Sequence, residues 1–525
     1  MKKLLLSLAV SSILSSPAIA VTIDVDINET KQTIHSFGAS DAWSINPTIN
    51  KWQAEGNEEA IANLADLLFS TDNGIGLSAW RFNIGAGSAE QGADSFIRDP
   101  LRRAELLVPE MGGEIDTTKQ RGQIRFMQEA HKRGVNNFVA FSNSPPHYLT
   151  KNGLAHPTAA DGVGSSNLKA ASVDQFSDFL VSVLSYLRSE EVGVPVNYIS
   201  PINEPTWEWE GQTQEGNRYN MEEVKAVYRS LDKKLVDAGL RYDIHIDGGE
   251  VVEYTAALRD SYKRNFDGAS QTNGMNSRGV GLYRNYIDEL LGDEEIRDII
   301  GNQISLHGYF SDGWSDRLGK LRDMTYDNVK TVSPDAQIWM SEMSILGGAG
   351  GVRQFDGHGF DVNDMEYALH IGRIIHRDLT RLNASAWHWW LGLTPYDYKD
   401  GMVKIAPSLE ADTVQDSKMM WTVGNYSRFI RPGYQRVELN GHDDLKGLMA
   451  SAYIAPEGKE LVVVMVNAGD SSESVNLDVG DAAKISQLAT YVTNKDHDLE
   501  SVPLEQQGDK YIVPPQSTVT FVATL

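Results

Sequence analysis

There is no cysteine among the 525 residues. That absence excludes disulfides, thiol catalysis and cysteine-ligated metals, so stability has to come from a packed core. Basic residues are also short. Lys and Arg number 47 against 72 Asp and Glu, a formal net charge of −25. A phosphate backbone would be repelled, so nucleic acid is not an expected partner. Long apolar runs are missing as well, and membrane insertion is not expected. Internal repeats and low-complexity tracts do not occur.

Residues 1–20 form a unit of their own. Lys2 and Lys3 precede a short apolar stretch from Leu4 to Leu14, and Ala18-Ile19-Ala20 ends it. A basic start, a brief apolar segment and a small-x-small terminus are the marks of a signal peptide. They imply export to the periplasm or the extracellular medium.

From 34 to 428, short apolar stretches alternate with helical periodicity. Strands are expected at Phe37–Ser40, Leu77–Ile84, Asn137–Ser142, Asn197–Asn203, Asp243–Asp247, Ile304–His307, Ala336–Ser341 and Ser385–Trp390. Helices are expected at Ile61–Leu68, Gly122–Arg133, Val173–Ser189, Met221–Ala238 and Tyr367–Leu382. Eight strands in this alternation predict an α/β fold, a (β/α)8 TIM barrel. From 429 to 525 the pattern changes to strands at Leu448–Ile454, Glu460–Val466, Ser474–Val479 and Tyr511–Leu525. This predicts a small all-β side domain, a β-sandwich. Residues 21–33 alternate too and are expected to add a strand to it.

A barrel builds its active site at the C-terminal ends of its strands. Glu204 follows the fourth expected strand and Glu342 the seventh. Breaking a glycosidic bond needs such a pair. One carboxyl protonates the poor leaving group, and the other attacks the anomeric carbon or activates water. Trp43, Trp80, Trp207, Trp209, Trp314 and the run Trp387-His388-Trp389-Trp390 also lie near strand ends. Indoles stack on the flat C–H faces of sugars, so tryptophans beside carboxylates point to a polysaccharide or oligosaccharide partner. Alternation puts Trp387 and Trp389 on one face of their strand and His388 and Trp390 on the other. Two other classes compete: a non-catalytic carbohydrate-binding barrel and a metal-dependent hydrolase. The presence of both glutamates argues against the first. His35, His147, His245, His307 and His388 form neither His-x-His nor His-Glu-x-x-His, which argues against the second. No metal and no cofactor are expected.

Five motifs occur in order: Phe37-Gly38-Ala39-Ser40-Asp41-Ala42-Trp43, Arg81-Phe82-Asn83-Ile84-Gly85, Ser144-Pro145-Pro146, Asn203-Glu204-Pro205 and Ser341-Glu342. With them the whole mature chain resembles glycoside hydrolase family 30. The resemblance implies retention of anomeric configuration, with Glu204 as acid/base and Glu342 as nucleophile. It implies that Asn203 bonds the sugar 2-hydroxyl and that Arg81 lies beside Glu342. It places His307 in the same cleft, with Asp41 and Trp43 lining the reacting subsite and Glu250 touching substrate. Among the indoles, Trp209, Trp387 and Trp389 are the expected further substrate contacts. Glu208, Glu210 and Glu215 read as loop charges or binding contacts. The segment from Trp207 to Tyr219 is similar to the endo-β-1,6-galactanase branch. β-1,6-Glucanase, xylanase and exo-glycosidase branches are the alternatives. His147 departs from many relatives, which carry Trp after the Pro-Pro pair.

Overall fold

The structure is a computed structural model that describes residues 21–158, 166–207, 209, 212–264, 284–313, 316–347 and 355–525. The expected signal peptide lies outside these residues. In chain order the strands begin with β1 Val21–Thr33, β2 Ser36–Ser40, β3 Ala79–Ile84, β4 Asn137–Ser142 and β5 Val196–Ser200. They continue with β6 His245–Ile246, β7 Gly249–Val251, β8 Gln303–His307, β9 Gln337–Glu342, β10 Ala386–Thr394 and β11 Gly401–Lys404.

Strands β2 to β10 form a parallel sheet in the order β6-β5-β4-β3-β2-β10-β9-β8-β7. The two ends of this path, β6 and β7, are separated in the chain by Asp247 and Gly248 alone. Asp247 N–H donates to Ile199 O at 2.8 Å, and Ser305 N–H donates to Gly248 O at 2.9 Å. The expected fifth strand is therefore one interrupted strand that closes a (β/α)8 barrel. Nearly every barrel-strand residue is buried, as expected for a parallel sheet covered by helices on the outside.

Local chemistry starts several of the helices. Asn220 and Glu223 make a reciprocal capping box at the head of Met221–Asp237. Asn57 and Asp364 cap Glu58–Phe69 and Met365–Thr380. Several helices escaped the sequence reading, among them Arg322–Val332, and two show why. Ile45–Ala54 is rich in poor helix formers, yet Ile45, Thr48, Ile49 and Trp52 make a buried stripe at helical spacing. Lys418–Ser427 is buried all round, so its sequence shows no amphipathic period.

The remaining strands are β12 Gln435–Asn440, β13 Leu448–Ile454, β14 Glu460–Asn467, β15 Glu473–Asp478, β16 Gln487–Thr493, β17 Glu500–Ser501, β18 Gln506–Gln507, β19 Lys510–Val513 and β20 Ser517–Thr524. With β1 they join in the order β17-β16-β20-β14-β13-β12-β1-β15-β19-β18. β1 runs antiparallel to β12 and parallel to β15. The single strand expected over Tyr511–Leu525 is instead two. Pro514 and Pro515 have no N–H to give a ladder, and Gln516 turns the chain at φ +48°. Strand β14 is apolar on both faces. Leu461, Val463 and Met465 fill the core of the side domain, while Val462, Val464 and Val466 join the barrel core. Full burial of a valine is worth about 1.5–3 kcal/mol, so this seam fastens the side domain firmly to the barrel. Among the described residues no helix is long and apolar enough to cross a membrane.

Candidate active site

Glu204 follows β5 and Glu342 ends β9. Closure of the barrel brings an oxygen of each within 4.8 Å of the other and of a ring nitrogen of His307. Glu204 sits at φ +43° and Glu250 at φ +51°. Left-handed backbone is strained for a non-glycine residue. Here Glu204 N–H donates to Glu250 O at 2.8 Å, which holds both turns.

Two cations lie among the carboxylates. Arg81 donates Nη1 to Glu342 Oε2 at 2.5 Å and Nη2 to Glu250 Oε2 at 3.2 Å. His307 places Nδ1 3.0 Å from Glu204 Oε1 and Nε2 2.6 Å from Glu250 Oε2. Tyr309 donates its hydroxyl to Glu342 Oε1 at 2.8 Å. Burial raises Glu204, helped by Glu342 and Glu250 and opposed by His307. Burial also drives Asp247 well up, as does the charge of Glu250. For Glu250 burial acts upward, but Arg81 and His307 outweigh it and hold it down to about 2. His307 loses by burial and gains more from Glu342 and Glu250, reaching about 10. Arg81 and His307 thus lie among carboxyls that accept their hydrogen bonds, and pairing of this kind is how a buried group of charges is tolerated.

Glu204, His307 and Glu342 are spaced like metal ligands. A ligating imidazole needs a free lone pair, however. His307 turns Nδ1 to Glu204 and Nε2 to Glu250, so neither ring nitrogen is free to ligate in this arrangement.

Above these groups opens a cleft of about 250 Å³, walled by Trp43, Trp207, Trp209, Gln214, Tyr309 and Trp390, with Glu204, Glu342 and Asn203 at its base. A larger cavity of about 980 Å³ lies elsewhere, against the N-terminal ends of β9 and β10. It has no comparable pair of buried carboxylates, so the chemistry belongs to the smaller cleft. Asn203 donates to Asn143 Oδ1 at 2.9 Å, and Asn143 donates to Asn83 Oδ1 at 3.0 Å. This amide chain leaves Asn203 Oδ1 without a partner among the described residues.

A family model of O-glycosyl hydrolase family 30 matches residues 20–404. The chain belongs to glycoside hydrolase family 30. A second model, the family 30 β-sandwich domain, matches 433–521. A curated relative, glucuronoxylanase XynC of Bacillus subtilis, is 27% identical over 162 residues, 30% of this chain and 34% of that protein. The match therefore spans about a third of the relative. The crystal structure of a conserved exported protein from Bacteroides fragilis is similar at TM-score 0.77 and 28% identity, covering 96% of this chain and all of the other. An endo-β-1,6-glucanase has TM-score 0.65 and 16% identity over 96% of this chain and 94% of its own, a likeness of fold.

Within this family 30 site, several residues expected to touch substrate do not line the cleft. Trp387 and Trp389 are corrected: both are wholly buried and stack on each other, 6.0 Å apart, with Trp387 donating to Asp378 at 3.0 Å. They face the surrounding helices, and Trp390 faces the cleft. Asp41 is also corrected. It is buried and does not line the cleft, and its Oδ1 accepts from Asn83 N–H at 2.8 Å and Gln123 at 3.0 Å. Glu250, Arg81 and His307 are buried, and the hydrogen bonds they make go to one another and to the two glutamates. Glu215 is no surface loop charge, because it is buried and accepts from the N–H groups of Ala86 and Ser88. Trp80 is core, packed on Phe69 and Phe126. Glu208, Glu210 and Trp314 lie outside the described residues. His147 packs against Gly87 instead of lining the cleft.

Trp43 and Trp209 do line the cleft. Trp209 donates its indole N–H to Glu204 O at 3.1 Å. Its ring is so close to Gly216 that a Cβ there would lie 2.4 Å away. Tyr309, Asn143, Asp247, Arg102 and Asp400 were not picked out from the sequence. Tyr309 alone left a signal, since it lies just beyond the C-terminal end of a barrel strand, two residues after His307.

The ion cluster sets an expected pH dependence of stability. His307 is raised above its ordinary 6.5, so its contribution is complete below about pH 6.5 and is lost as pH rises toward 10. Glu250 is lowered from 4.5, so its contribution is complete above that value and is lost as pH falls toward 2. Thermal melts should show Tm falling from pH 7 to 10, with a shallower alkaline slope in His307→Gln. An unchanged slope in that variant would refute the ion-pair account.

Proposed function

We propose that the protein is an exported, retaining endo-hydrolase of β-1,6-linked galactan, with Glu204 as acid/base and Glu342 as nucleophile. The observation that carries the mechanism is that an oxygen of one glutamate lies within 4.8 Å of an oxygen of the other. Retaining enzymes hold their carboxyls about 5–5.5 Å apart, whereas inverting enzymes need roughly 6.5–9.5 Å to admit water. Burial raises Glu204, which favours the protonated carboxyl that the leaving oxygen requires. Arg81 and Tyr309 orient Glu342 through both of its oxygens. Asn203 offers its free amide oxygen to the 2-hydroxyl.

The segment after Glu204 supports the substrate reading. Trp209 anchors the loop through Glu204 O. Trp207 stands half-exposed in the cleft wall, stacked on Phe310 with centroids 6.4 Å apart and planes within 15°. Gln214 adds a polar group to that wall. Arg218 is buried and does not serve as a donor to sugar. This half of the cleft borders the leaving group, and one flat aromatic platform suits a pyranose there.

One experiment tests both parts. β-1,6-Galacto-oligosaccharides and β-1,6-gluco-oligosaccharides of equal length are digested side by side and followed by proton NMR. The galactose series should be cleaved internally with the higher kcat/KM, and the first new anomer should be β. Equal or better cleavage of the glucose series would sink the galactanase reading. A first-formed α anomer would sink the retaining one.

A further inference from the structure

Besides Asn203 Oδ1 at the base, the cleft wall holds an unpartnered buried donor and an unpartnered buried acceptor. Trp43 Nε1 is a donor and Asp400 Oδ1 an acceptor, and neither makes a hydrogen bond among the described residues. Both side chains line the cleft, and the two residues are 6% and 4% exposed. Native proteins leave few such atoms unsatisfied, because desolvation without a bond is costly. A donor and an acceptor on one wall suit a hydroxyl, which both accepts and donates.

The wall around them is built. Trp390 meets Trp43 edge-on with centroids 5.4 Å apart. The Arg102 guanidinium lies 4.7 Å from the ring centre of Trp43 and 4.9 Å from that of Tyr396. Asp400 O accepts from Leu391 N–H at 3.0 Å, just before β11 pairs with β10. Burial pushes the Asp400 carboxyl up to about 6, against the pull of Thr394 and Arg102.

Topology says which sugar this wall meets. Glu204 follows the fourth barrel strand and Asp400 the eighth, with β6 and β7 counted as one. These strands stand opposite each other in the ring. The acid protonates the leaving group, so the opposite wall holds the glycone, the sugar that keeps its anomeric carbon.

We propose that Asp400 and Trp43 together read ring hydroxyls of a neutral glycone sugar, with Asp400 Oδ1 accepting and Trp43 Nε1–H donating. This rests on the glycosidase roles of Glu204 and Glu342, and it does not depend on the sugar being galactose. A carboxylate accepts only, so the pair requires a free O–H and rejects a deoxygenated or alkylated one.

The test compares wild type, Asp400→Asn and Asp400→Leu on whichever oligosaccharide series wild type hydrolyses best. Analogues deoxygenated at each glycone hydroxyl in turn are included. Asp400→Asn should lose about 10- to 100-fold in kcat/KM, the scale of a hydrogen bond to a charged group, and Asp400→Leu at least as much. Tm should hold in Asp400→Asn, since Oδ1 has no hydrogen bond among the described residues to lose. On one deoxy analogue the wild-type advantage should vanish, because the partner hydroxyl is already gone. Variants within twofold of wild type on every substrate would overturn the proposal. So would a penalty that persists unchanged on all deoxy analogues, which would assign Asp400 to structure. The galactan reading fails separately, by preference for the glucose series.

Discussion

Replacing Glu342 with Gln is expected to lower kcat by on the order of 10⁴- to 10⁶-fold, the scale on which enzymes lose a covalent nucleophile. The amide is nearly isosteric, so the cleft should keep its shape. Arg81 and His307 would then face one anion fewer, and Glu250 would be left as the main counter-charge beneath them. The decisive variant is Glu342→Ala with azide. Azide fits the vacated space and attacks the anomeric carbon from the same face as the lost carboxylate. A single displacement follows, and a β-linked substrate yields the α-glycosyl azide. An activated aryl glycoside shows the rescue as recovered turnover, and NMR of the product gives its configuration. A β-azide from this variant would reverse the roles of the two glutamates.

The second large effect belongs to Glu204→Ala. General acid catalysis is worth about 10²- to 10⁴-fold, and its loss falls on substrates whose leaving group needs a proton. Hydrolysis of the natural linkage should therefore drop by that range. An aryl glycoside with a leaving group of low pKa should still form the glycosyl-enzyme quickly, because Glu342 and Arg81 are untouched. The intermediate should then accumulate, since no base activates water, and a burst of phenol should precede slow turnover. Azide needs no base, so it should speed turnover and give a β-azide, the product of two displacements. Equal losses on natural and activated substrates would argue against Glu204 as the acid.

Much of this architecture is legible in the chain. Short apolar runs mark the barrel strands, which are buried on both faces, and helical periodicity marks several helices, because burial on one face leaves a trace at fixed spacing. Lys418–Ser427 leaves none, since a segment buried all round has no polar side to report its period. The one-strand reading of Tyr511–Leu525 failed at Pro514, where local backbone chemistry overrode an apolar pattern. In the site, Glu204 and Glu342 are conspicuous because each follows an apolar strand, where a carboxylate needs a reason to be.

The sequence by itself determined the barrel alternation, the all-β character after residue 428 and the positions of the two glutamates at strand ends. The tertiary structure decided which face of each strand meets the cleft. Alternation sorts Trp387 and Trp389 from Trp390, but it does not say which set points at solvent, sugar or helix. Barrel closure turned Trp390 inward to Trp43 and sent the other two into the core. The same closure put Glu250 and Arg81 beneath Glu342 and carried Asp400 across the mouth from Glu204. The reason is geometric. Local sequence records periodicity along one strand, whereas a site assembled from opposite strands is defined only when the ring closes.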